Sequence, residues 1–160
     1  MQSYIDVIKR RKMKHRRFEL DKAQKYLAFR RGFKLINSYV DSGHFIGAYV
    51  LLFSILEDRL NALYAVRFYL NNNEGPPEET EKAAIHKIHF VRKVRKLEHT
   101  GDIEPQFAKE LINRAYDRNR KVHAALWHNE EFKKDDTIDL LRQVRLIDKA
   151  RQVQKKRLTL

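Results

Sequence analysis

The chain has 160 residues, 34 Lys and Arg against 21 Asp and Glu, and a net charge of +13, so it fits one ordinary domain in which the 42% apolar residues can build a core. It has no cysteine, which excludes disulfides, thiolate nucleophiles and Cys-ligated metals and fits a reducing, cytoplasmic setting. Five glycines and three prolines are too few for a turn-rich β-sandwich or barrel and predict long helices.

The N-terminal segment, residues 1–17, holds seven cations, Lys9, Arg10, Arg11, Lys12, Lys14, Arg16 and Arg17, against the single acid Asp6. It has no apolar stretch of the kind that marks a secretion signal. A first helix is expected over Phe18–Val40, with Leu20, Leu27, Phe29, Phe33, Ile36 and Val40 at helical spacing and a stop at Asp41-Ser42-Gly43. The second runs from about His44 to Leu70. Its opening, Phe45 to Leu56, is apolar all round, which predicts a helix enclosed by its neighbours. This run is too short to span a bilayer, so no membrane span is expected.

Asn71 to Pro77 reads as a loop, and a third helix follows over Glu78–Glu98, with Ala84, Ile85, Ile88, Val91, Val94 and Leu97 on its apolar side. Thr100-Gly101 ends it. Asp102 then offers an N-cap for a fourth helix, with Pro105 in the first turn and an end near Trp127. A polar stretch, His128 to Asp136, leads to a fifth helix from about Thr137, which is expected to bury Ile138, Leu141, Val144 and Ile147. The chain ends in a basic segment, residues 142–160, in which seven cations, among them Lys155, Lys156 and Arg157, again face one acid, Asp148. No strand is expected. The reading is an all-α, single-domain bundle of about five helices over residues 18–141, with a basic segment at each end.

The two ends carry nearly all of the net charge, because residues 18–141 hold 20 basic and 19 acidic residues. Separate cationic blocks attract polyanions through counterion release, so nucleic acid is the expected partner. Arg120 and Lys121, on the solvated side of helix four, join the terminal residues as candidate nucleic-acid contacts.

Helix four carries the most informative pattern. At about 100° per residue, Ala108, Leu111, Ala115, Val122 and Leu126 form an apolar stripe, and Arg118, Asn119 and His123 lie on or beside it. Polar groups on a core stripe are costly unless satisfied. The segment Arg118-Asn119-Arg120-Lys121-Val122-His123 resembles the Arg-x4-His signature of the HEPN superfamily, with a polar residue directly after the arginine. Ile55-Leu56-Glu57-Asp58-Arg59-Leu60 resembles the central helix of such domains, and the resemblance covers roughly residues 18–150.

This resemblance implies a metal-independent endoribonuclease with a toxin, phage-defence or RNA-processing role. It also implies a homodimer that brings two copies of Arg118, Asn119 and His123 into one composite site, with RNA as substrate and no cofactor. An antitoxin or regulatory protein is a further expected partner. Some toxins of this group extend the motif to His-x-Tyr, the tyrosine being the target of an inactivating antitoxin. Ala125 stands there, so that form of control is not expected. The alternative is a helical nucleic-acid-binding or partner-binding module whose motif only binds.

Other candidates are weaker. His86 and His89 have a spacing that can chelate a metal, but no acid in a ligand motif accompanies them, and no metal is expected. Tyr26, Phe29, Phe33, Tyr64, Phe68 and Tyr69 recur at helical spacing and read as core. Glu57 and Asp58 can face the site from helix two but read as structural.

Overall fold

The computed structural model describes residue 24 and residues 27–72, 79–127 and 133–158; in 68–72, 79–82, 125–127 and 155–158 it describes the backbone alone. The described chain is all helical: α1 (27–41), α2 (Phe45–Asn72), α3 (Glu79–Lys87), α4 (Phe90–His99), α5 (Pro105–Trp127) and α6 (Lys134–Leu158).

Two glycines set corners where only a left-handed residue fits. After α1, Gly43 has φ +76°, its N–H donates to Val40 O at 3.2 Å, and His44 N–H donates to Tyr39 O at 2.7 Å. After α4, Gly101 has φ +71°, with Gly101 N–H on Glu98 O and Asp102 N–H on Leu97 O, both at 2.9 Å. Each pair of bonds closes the last helical turn and satisfies carbonyls that would otherwise face nothing. Both ends fall where the sequence places them.

α2 is the centre. Ala48, Tyr49, Leu52, Phe53, Ile55, Leu56, Leu60, Leu63 and Tyr64 are all buried and share one half of the helix. The helix is not enclosed all round as its apolar run predicts, because Val50 and Ser54 on the other half are exposed. α6 lies along it in a long seam, while α3 and α4 cover another flank and α5 pairs with α4. Arg59 of α2 bridges this seam, 3.3 Å from Asp148 of α6 and 3.8 Å from the centre of the Phe29 ring of α1.

Three further details differ from the sequence reading. The expected helix over Glu78–Glu98 is two helices, broken at Ile88-His89, where His89 is extended (φ −60°, ψ 140°). Its apolar residues Ile85, Ile88, Val91, Val94 and Leu97 recur every three positions, and in one straight α-helix that pattern slips by about 60° at each step. The break resets the phase, so Ile85 on α3 and Val91, Val94 and Leu97 on α4 are all buried. The same slip misplaces one face of α6. Ile138 is 52% exposed, and the buried stripe is Thr137, Leu140, Gln143, Val144, Ile147 and Gln154. α6 runs unbroken through residue 142, so the residues set apart by charge form the second half of a core helix.

Asp102 is the third difference. α5 starts at Pro105, a first-turn position proline favours, and Asp102 lies outside it. Its side chain is 0% exposed and gathers three groups: the Thr100 hydroxyl and the Gln154 amide donate to its two oxygens, and Arg67 Nε lies 3.3 Å from Oδ2. One carboxylate thereby ties the α4–α5 corner to α2 and α6. Removing one member of a buried charged network strands the others, so Asp102→Ala is expected to cost about 3 kcal/mol in urea unfolding. A cost below about 1 kcal/mol, the worth of one ordinary hydrogen bond, would contradict that role.

Candidate functional site

The arginine of the motif is held by α2. Arg118 Nη1 lies 3.7 Å from Glu57 Oε1, and its guanidinium carbon sits 4.7 Å from the centre of the Phe53 ring. Glu57 and Phe53 are four residues apart, so they share one flank of α2 and grip the same cation, one by charge and one by the face of its ring. The two charged side chains stay about 40% exposed (41% and 40%), open to an incoming anion.

Asn119 and His123 are both exposed, and neither has a hydrogen-bond partner among the described residues. The sequence places them on the margin of a core stripe. The stripe is real in the first half of α5, where Ala108 and Leu111 are fully buried. Ala115 and Val122 in the later half are only half-buried, and Tyr116 is 65% exposed. The polar residues therefore reach solvent and need no buried partner.

Arg118 and His123 do not converge within one chain. They are five positions apart, which on an α-helix is a rise of about 7.5 Å and a rotation of about 140°. Arg118 turns toward α2, and His123 turns away from it to solvent.

The same flank of α2 carries a polar network not anticipated from sequence. Asn61 follows Glu57 by four residues, and Lys93 of α4, only 4% exposed, donates its ammonium to Asn61 Oδ1. An ammonium can only donate, so it must take the amide oxygen. The Asn61 amide then donates to His86 Nδ1 at 3.1 Å, which puts the proton of neutral His86 on Nε2. Burial holds the Lys93 ammonium below its usual pKa of 10.5, and the negative charge of Glu57 partly offsets that effect. Phe90 of α4 completes the cluster, its ring 5.6 Å from that of Phe53. The one readable signal was the four-residue spacing of Phe53, Glu57 and Asn61; nothing marked Lys93, which sits in a run of cations.

The remaining candidate residues divide by location. Arg120 donates to Asp117 at 2.8 Å, and Lys121 pairs with Asp136, so each is matched by an acid. Lys9, Arg10, Arg11, Lys12, Lys14, Arg16 and Arg17 lie outside the described residues, as do the side chains of Lys155, Lys156 and Arg157. His86 and His89 flank the α3–α4 break, and among the described residues no three His, Asp or Glu side chains converge. A shallow concavity at the end of α1, lined by Lys34, Asn37, Ser38, Asp41 and Ser42, includes none of the motif residues. No described helix is long and apolar enough to cross a membrane.

Comparison of the chain with protein-family models, curated proteins and solved structures finds no match.

Buried Lys93 makes stability depend on pH. Its folded pKa lies below 10.5, so in the window between the two values the unfolded chain binds more protons and stability rises with pH. Relative to Lys93→Met, the wild type is expected to gain melting temperature as pH approaches 10.5. Parallel pH profiles for the two proteins would contradict this burial.

Proposed function

We propose that this protein is a metal-independent endoribonuclease of the HEPN type, working as a dimer. The observation that carries the reading is that the resembling motif is presented rather than buried: Asn119 and His123 are exposed on α5, and Arg118 is half-exposed and braced by Glu57 and Phe53.

The chemistry asks for what these residues offer. In RNA cleavage the 2′-oxygen forms a bond to phosphorus, the bond from phosphorus to the 5′-oxygen breaks, one proton leaves the 2′-hydroxyl and another joins the leaving oxygen. An imidazole can take or give such a proton. A guanidinium fork can hold the phosphate oxygens as charge builds on them, and Asn119 can orient phosphate or imidazole. One histidine cannot serve both proton transfers, and within one chain Arg118 and His123 point about 140° apart. A second protomer supplies the missing groups in this reading, and the half-buried Ala115 and Val122 give it an apolar edge to meet.

The second reading is a nucleic-acid-binding module that does not cleave. It is favoured by the divergence of Arg118 and His123 within one chain, which leaves a half-exposed arginine that can grip a phosphate with no imidazole beside it. The two separate in one assay, incubation of wild type and His123→Ala with labelled structured RNA in EDTA. The enzyme reading expects 2′,3′-cyclic phosphate and 5′-hydroxyl ends from wild type, a rate lower by about 100-fold or more in His123→Ala, and retained RNA binding. RNA that stays intact while both proteins bind it would overturn the enzyme reading.

A further inference from the structure

The charge count makes the middle of the chain nearly neutral, but the fold does not spread that charge evenly. Every exposed residue of α4 is basic: Arg92, Arg95, Lys96 and His99. The exposed residues leading into it, Lys87 and His89, continue the run. At about 100° per residue the four α4 positions fall within an arc of about 100°, opposite buried Val94. The one acid of α4, Glu98, lies outside this arc and is half-buried. Arg92 and Arg95 have no ionic partner among the described residues, in contrast to Arg120, Lys121 and Arg142, each of which faces an acid.

We propose that the exposed face of α4 is a docking surface for the phosphate backbone of double-helical RNA. This rests on the reading of the protein as an RNA-directed enzyme and adds the class of RNA it takes. Arg92 to His99 span a rise of about 10.5 Å, and a duplex presents about one charge per 1.7 Å of its axis, so several phosphates lie within reach of the stripe. A-form RNA is recognised through its backbone and shape rather than by side chains in its deep groove.

Two competitors fit less well. Single strands are held on exposed aromatic platforms, and this face has none; the nearby Tyr64 is buried, with the Lys96 ammonium 5.4 Å from its ring centre. A helix lying on a membrane needs a free apolar side, and Val91, Val94 and Leu97 are in the core. On its core side α4 meets the helix that holds the motif arginine: Phe90 packs against Phe53, which carries Arg118.

The test measures binding by the full-length His123→Ala chain, so that RNA stays intact, to an RNA duplex across a salt series. Arg92→Gln, Arg95→Gln and Lys96→Gln are combined, and Arg30→Gln, Arg31→Gln and Lys34→Gln on exposed α1 form a charge-matched control. The α4 variant is expected to lose about tenfold or more in affinity at low salt, and its salt slope to fall by roughly 2 to 3, one phosphate contact per cation removed. The control is expected to lose much less. A single strand of equal phosphate count and anionic vesicles should bind more weakly and depend less on the α4 cations. Equal losses in both variants, or an unchanged slope in the α4 variant, would overturn this surface while leaving the cleavage reading intact. Single strands or vesicles that depend on α4 as strongly as the duplex would overturn its assignment to double-helical RNA. A parent chain that binds no RNA would instead remove the reading on which the surface rests.

Discussion

The burial of one whole half of α2 is the constraint that shapes the other helices. Polar groups at the edge of that half are partly covered by those helices, and each is stabilised where a neighbour brings the matching charge or hydrogen bond, because an unpaired polar group away from water costs free energy. Glu57 and Asn61 are such groups on the flank of α2 that α3, α4 and α5 approach. Arg118 arrives from α5, Lys93 from α4 and His86 from α3. Packing the core is thus the same event as placing the motif arginine.

A second tie sets the direction of α5. Asp102 closes the corner after α4 with its backbone N–H and, through its carboxylate, joins that corner to α2 and α6. The start of α5 is thereby fixed against the core, and its first half buries Ala108 and Leu111. Along its second half Arg118 still meets α2 and Lys121 meets Asp136 of α6, while the outer flank leaves Tyr116, Asn119 and His123 in solvent. The polar residues of the motif are exposed because of where the helix is anchored.

Much of this was legible in the sequence, and the failures share a cause. The central place of α2 and the helix ends at Gly43 and Gly101 followed from apolar runs and from residues with one physical use, but the apolar run overstated the enclosure of α2, whose Val50 and Ser54 are exposed. Two further faces were misjudged, the break at Ile88-His89 and the exposure of Ile138. In both, apolar residues three apart were treated as one stripe although a helix turns by 3.6. Charge counted along the chain gave a neutral middle, since counting ignores direction: α4 turns Arg92, Arg95 and Lys96 outward and Lys93 inward. Lys93 in its burial was not legible, because a lysine among cations looks solvated until the partner helix with Asn61 is in place. Arg118, Asn119 and His123 were read as an intrusion on an apolar stripe; the structure leaves Asn119 and His123 exposed and sets Arg118, half-exposed, against α2.

In the proposed enzyme one chain holds only half of a working site, with Arg118 directed at α2 and His123 directed away from it. The decisive quantity is the RNA cleavage rate per chain in EDTA over a dilution series, with the molecular mass determined at each concentration by sedimentation. A site shared between two protomers requires the rate per chain to fall in step with the dimer fraction. A rate per chain that stays constant well into the monomer range would contradict it.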